Sequence, residues 1–219
     1  MPKVNNLDGQ GPGTGASEIR YGGAGEYDGR QFDVVATSVG SYSGRPARNG
    51  CTNGEFGMLT VATGTSVVVR FELRDSLTDA LVTPTAFPLS LLDLDGGPVG
   101  EQVSISADEY TFYEIDDRTR LEVDMATNVH HFLGERMSVS NPRTADTLNR
   151  WQQRVALKLM FFQRSSFTLT FTATGRASAG VRGFFFAGQS NLGIACPSPP
   201  PPPLPPPSPP PPVKPPPSP

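Results

Sequence analysis

The sequence predicts an antiparallel β-sandwich of jelly-roll type with a C-terminal polyproline II tail. Three observations carry that expectation. Runs rich in Val, Leu, Phe and Thr recur at short intervals between residues 31 and 190. Several alternate apolar and polar residues, the period of a strand with one buried face. No helical pattern separates them, which leaves no place for the crossovers that a parallel sheet needs.

Residues 1–30 carry eight glycines between positions 9 and 29, with Tyr21 and Tyr27 among them. By composition this is a linker, or else an arm that orders only against a neighbour. The sandwich, 31–196, opens with "QFDVVATS" (31–38) and "FGMLTVAT" (56–63). After a Gly-Thr turn, "SVVVRFEL" (66–73) sets Val67, Val69, Phe71 and Leu73 on one face. Next come "AFPLSLLDLD" (86–95), "EQVSISA" (101–107), "YTFYEI" (110–115) and "RLEVDMA" (120–126). "RVALKLMFFQ" (154–163), "SFTLTFTAT" (166–174) and "RGFFFAG" (182–188) complete the set. Only "TADTLNRWQQ" (144–153) suggests a helical turn or two, with Thr144 or Asp146 as its cap.

Residues 197–219 hold 17 prolines in 23 positions. Proline fixes φ and has no N–H to give a sheet, so the segment is a polyproline II rod. At ~3.1 Å per residue it reaches roughly 70 Å, farther than the domain it leaves. Its "PPPPPLPPP" also has the form of a ligand for polyproline-reading domains, the basis of an intracellular adaptor reading.

The 219 residues carry a net charge of −3 from 18 basic and 21 acidic side chains. No basic patch marks a nucleic-acid binder, and no run approaches the ~20 apolar residues of a membrane span. The opening "MPKVNNLDGQGPG" has no apolar secretory core, so a secreted form is expected to begin after processing. No Asn-x-Ser/Thr acceptor occurs. Catalytic motifs fail on spacing and context. "GQSNLG" has one residue too many for a nucleophile elbow, His130 and His131 are adjacent, and "GPGTGAS" lacks the Lys-Ser/Thr of a phosphate loop. The expectation is a protein that is not an enzyme.

Four features are candidate sites. "LLDLDGGPVGE" brings Asp93, Asp95 and Glu101 to a Gly-rich turn, which reads either as a calcium site or as a solvated hairpin. Cys51 and Cys196 suffice for one bridge in an oxidising compartment, clamping the tail's exit, or are two unrelated thiols. Phe184, Phe185 and Phe186 put apolar side chains on both faces of one strand, and Phe161 and Phe162 repeat the arrangement. Such a strand lies under a covering loop or forms an assembly surface. Trp151, with the three carboxylates, is what a carbohydrate-binding sandwich would offer.

The tail's "PSPPPPP" and "PPPSPPPP" resemble the hydroxyproline-rich glycoproteins of algal and plant extracellular matrix, such as pherophorins and extensins. "FPLSLLDLDGG", "EQVSIS", "RVALKLMFFQRSSFTLTFTATG" and "RGFFFAGQSNLG" are similar to a β-sandwich module of microalgal surface and filament proteins. The resemblance covers roughly residues 32–190 plus the tail. It implies secretion, proline hydroxylation and O-linked arabinose or galactose, with Ser198, Ser208, Ser218 and prolines such as Pro199 and Pro209 as acceptors. The expected function is a structural subunit of an extracellular fibril or matrix, polymerising with itself into a helical filament. A wall-tethered carbohydrate-binding module is the alternative.

Overall fold

The computed structural model describes residues 2–52, 56–97, 100–126, 129–135, 138–144, 147–176 and 180–188. Cys196, the tail and its expected acceptors Ser198, Pro199, Ser208, Pro209 and Ser218 lie outside the described residues. In chain order the strands are β1 (Val4–Asn5), β2 (Ile19–Tyr27), β3 (Arg30–Val39), β4 (Gly50–Thr52), β5 (Phe56–Ala62), β6 (Thr65–Asp75) and β7 (Ala86–Leu92). They continue with β8 (Val103–Ala107), β9 (Phe112–Glu114), β10 (Glu122–Ala126), β11 (Val129–Leu133), β12 (Leu157–Phe162), β13 (Ser166–Ala173) and β14 (Val181–Ala187). One helical turn, α1 (Arg150–Gln153), precedes β12.

Two antiparallel sheets form the sandwich. One has the order β1-β2-β3-β6-β13-β8-β11-β10, the other β4-β5-β14-β7-β12-β9. The winding follows from three nested pairs. β6 pairs with β13, β7 with β12 and β8 with β11, and successive pairs alternate between the sheets. A single long hairpin rolled around the core gives this pattern, which is jelly-roll topology.

Alternation decides which faces meet. Along β13, Phe167, Leu169, Phe171 and Ala173 are buried while the threonines between them are half-buried. Opposite Phe167, Leu169 and Phe171 on β6 lie Phe71, Val69 and Val67, and Leu73 is buried further along the same strand. The second sheet answers with Phe161, Phe184 and Phe186. Phe184 meets Phe171 edge-on at 5.1 Å between ring centroids, and Phe186 meets Phe71 at 5.6 Å. Each such ring, fully buried, stabilises the fold by about 1.5–3 kcal/mol.

The phenylalanine runs are therefore mainly core, and the assembly-surface reading is corrected for four of its five residues. Phe161, Phe184 and Phe186 face the other sheet, while Phe185 faces away from it. Phe185 is covered by Phe56, Leu92, Leu148 and Ala156, so a loop hides the second face of β14. Phe162 alone stays exposed, at 44%, with its ring edge-on to Phe112 at 5.6 Å.

The covering loop is pinned by α1. Its cap is Asn149, not Thr144, and Asp146 lies outside the described residues. Asn149 Oδ1 accepts from the N–H groups of Trp151 (2.9 Å) and Gln152 (3.1 Å), and Gln152 Oε1 accepts from the Asn149 N–H at 2.9 Å. This reciprocal box satisfies donors that a short helix leaves open. Asn149→Ala is expected to cost about 1 kcal/mol, read as a lower urea midpoint with an unchanged m-value.

The glycine-rich segment is not a linker, and it needs no neighbour to order it. β2 pairs with β3 along most of its length, and β1 pairs with β2 in turn. The sandwich thus begins near residue 4, not at 31.

Candidate functional site: an aromatic groove beside the chain's exit

β2 and β3 change register between two pairs. Tyr21 stands opposite Val34 and Gly25 opposite Phe32, so Gly22, Gly23 and Ala24 face Asp33 alone. An excess of residues on one strand bends it away from its partner. Gly23 makes the bend at φ +62°, a conformation that costs glycine nothing.

Asp33 holds the bow in place. Its carboxylate accepts from the Gly23 N–H (3.0 Å), from Arg20 Nε (2.8 Å), from Lys3 Nζ at 3.0 and 2.9 Å, and from the Ser76 hydroxyl. Burial alone would push its pKa up. The bonds from Ser76, Lys3, Gly23 and Arg20 outweigh burial and hold it at about 2. The carboxylate is therefore charged throughout the physiological range.

The bow is one wall of a groove between the sheets. Gly57 of β5, Phe186 of β14, Val34, Phe87 and Leu89 line its other sides, around a cavity of about 310 Å³. A second hollow of about 420 Å³, reaching Phe32, Ala86 and Pro88, shares Ala24, Phe87 and Gly188 with the first. Together they make one continuous aromatic trough. Tyr21 and Phe186 meet edge-on at 5.4 Å, and Phe32 and Phe87 at 6.1 Å.

Glycine makes the trough possible. A Cβ on Gly57 would lie 2.2 Å from Phe186 Cε2, so only glycine lets that ring lie flat against β5. The Tyr21 hydroxyl donates to the Gly50 carbonyl at 3.1 Å. Burial, helped by the neighbouring Cys51, raises the phenol well above its usual pKa against a backbone bond near Met58, so the ring presents no charge. Cys51 and Gly188 line the same hollow. From Gly188 the chain continues towards Cys196 and the tail.

The three carboxylates expected at a calcium site come only partly together. Asp95 Oδ1 is taken by Arg182 at 3.0 Å, and its Oδ2 accepts from the Val139 N–H. At Gly97 the Glu101 carboxylate and the Arg182 guanidinium approach the same point: a Cβ there would lie 2.2 Å from Glu101 Oε2 and 3.0 Å from Arg182 Nη1. Among the described residues no group of three His, Cys, Asp or Glu side chains can hold a metal ion. The positive charge that the described residues set beside Asp95 is the Arg182 guanidinium. Trp151 is likewise not a free platform for a sugar ring. Arg120 and Arg154 lie 4.9 and 4.8 Å from its centroid.

No family model and no curated protein sequence matches the chain. Among solved structures the fold is similar to the N-terminal domain of an adhesin from Streptococcus gordonii, at 9% identity and a TM-score of 0.49. The match covers 78% of this chain and 45% of that one, so the chain spans less than half the neighbour's length. A likeness at this level carries no argument about what either domain binds. No helix among the described residues is long and apolar enough to cross a membrane.

Proposed function

We propose that this β-sandwich is a self-assembling structural subunit of an extracellular matrix or fibril, and that its groove receives the polyproline tail of a neighbouring copy. The groove carries this reading. Aromatic-lined troughs suit polyproline II because the ligand is already extended and loses little entropy on docking. Gly22, Gly23, Gly57 and Gly188 keep the walls of the hollow low, and the half-buried Tyr21 and the edges of Phe87 and Phe186, each 5% exposed, line it.

The tail's length supports a neighbour as the source. A rod of roughly 70 Å reaches beyond its own domain, and a contact between unlike surfaces of identical subunits propagates into a filament where its rotation does not close a ring. The sequence resemblance to hydroxyproline-rich glycoproteins supports the same setting, with hydroxylated and O-glycosylated residues around Ser198, Ser208 and Ser218. In an oxidising compartment a Cys51–Cys196 bridge would fasten the start of the tail at the groove's rim. The eight residues from Gly188 to Cys196 span up to about 27 Å, ample for the reach.

Two comparisons test the reading. The full chain is expected to form filaments visible by electron microscopy, and a chain ending at Cys196 is expected to stay dispersed. Filaments of equal length from both would refute tail docking. Gly57→Val drives Phe186 into the trough and is expected to weaken self-association at least tenfold. The same overpacking should cost about 1–3 kcal/mol of stability, measured by urea unfolding.

A further inference from the structure

We propose that the cleft between the turn after β7 and the segment 138–141 is a binding site for a neutral saccharide of one or two rings. The cleft encloses about 380 Å³, at the small end of the range for small-molecule sites, roughly 300–1,000 Å³. Asp93 and Asp95 line it from the turn, Arg182 from β14, and Ser138 and Asn141 from the facing segment.

Unmet hydrogen bonds select the ligand chemistry. Asp93 is only 6% exposed, yet its Oδ1 has no partner among the described residues. Arg182 spends Nη2 on Asp95 Oδ1 (3.0 Å) and on the Asp95 and Gly96 carbonyls (3.4 and 3.3 Å), while its Nε–H is buried without an acceptor. The cleft therefore holds one orphaned acceptor and one orphaned donor. Natural structures leave few such groups, because a buried donor or acceptor without a partner keeps its full desolvation penalty. A hydroxyl both donates and accepts, so a polyol carries the groups that can answer either atom.

Charge and shape agree with that choice. Arg48, Arg182 and Asp95 line the cleft as charged side chains, while Asp93, raised by burial to about 7, carries only part of a charge at neutral pH, so the lining does not select a cation. The half-buried Met58 supplies an apolar contact for the C–H face of a sugar ring, and Asn141 is exposed with both amide functions to offer. A buried carboxylate whose Oδ1 has no partner among the described residues is a costly arrangement of the kind that functional sites retain. The inference goes beyond the assembly reading and does not depend on it, because a dispersed copy has the same cleft.

The test is an amide-resolved NMR titration of the dispersed full chain with glucose, galactose, mannose, arabinose and their disaccharides. Saturable shifts at Val139, Asn141, Arg182 and Gly183 are expected with at least one sugar. Asp93→Ala and Asn141→Ala are each expected to weaken that binding at least tenfold while leaving distant resonances in place. Asn141 is exposed, so its variant decides the matter if Asp93→Ala does not fold. Comparing the free sugar with a glycosylated peptide spanning 197–219 separates a soluble ligand from one carried by a neighbouring tail. Absence of saturable shifts with every sugar overturns the proposal, as do shifts that both variants leave unchanged. Saturation of the same resonances by calcium chloride in place of sugar also overturns it.

Discussion

Replacing Asp33 by alanine is expected to lower the stability of the sandwich by about 3 kcal/mol and to open one wall of its groove. The substitution strands Arg20 and the Gly23 N–H, both of which Asp33 now satisfies. Removing one member of a buried charged pair typically costs 3–5 kcal/mol. The lower end applies here because Lys3 is half exposed and Arg20 keeps Asp79 and Glu18. The pH dependence follows from the depressed pKa. Asp33 titrates at about 2 in the folded state, below its value in the unfolded chain. Its contribution is therefore complete above about pH 4 and is lost as pH falls towards about 2. Urea midpoints measured across that window should fall for the parent and stay flatter for Asp33→Ala. Hydrogen exchange at Gly22–Gly25 should rise in the variant at neutral pH, showing that the bow itself has loosened.

Replacing Asp93 by asparagine is expected to do the opposite and stabilise the domain by about 2 kcal/mol at about pH 8. Burial raises the Asp93 pKa to about 7, the negative Asp95 adds to it, and Arg182 offsets only part. The folded state therefore binds a proton that the unfolded chain has already released. Stability is full below about pH 4, falls as pH rises through about 7, and is level above that. The whole shift corresponds to about 4 kcal/mol, of which a buried asparagine amide returns part through its own unmet bonds. Asparagine also tolerates the left-handed backbone at this position. Thermal unfolding of both chains at about pH 4 and about pH 8 gives the check: the variant's advantage should appear only at the higher pH. An unchanged profile would mean that Asp93 is solvated or paired in solution.

These two aspartates also mark where sequence reading stops. Strands such as "SFTLTFTAT" were legible because burial of one face is written into their period, and all ten expected segments contain a strand. "AFPLSLLDLD" ends three residues early because Asp93 turns the backbone to φ +62°. β2 was hidden by the feature that makes it useful. Gly22, Gly23, Ala24 and Gly25 erase the alternation, and the residues that form the groove's bow read as a linker. A pair of glycines flanked by tyrosine is a signal for a bulge, which composition alone does not separate from flexibility.

The site was less legible than the fold. Asp33 looks like an ordinary polar position in "QFDVVATS", because its partners Arg20, Lys3 and Ser76 stand 13, 30 and 43 residues away. Asp93 and Asp95 were singled out correctly as neighbours on one turn. Their surroundings were not readable, because Arg182 reaches Asp95 from 87 residues further on and sets a guanidinium beside what the spacing suggests as a cation site. The triple phenylalanine announced a strand buried on both faces. What covers its second face, the Leu148–Ala156 segment, is a matter of tertiary packing.

The central claim is that one copy's tail lies in another copy's groove, and mixed-isotope crosslinking tests it most directly. A photoreactive residue at Ala24, between the two hollows, is placed in ¹⁵N-labelled chains, which are assembled with unlabelled chains and irradiated. The account predicts crosslinks from Ala24 into residues 197–219, with labelled groove joined to unlabelled tail. Crosslinks confined to a single chain, or none that reach the tail, would contradict it.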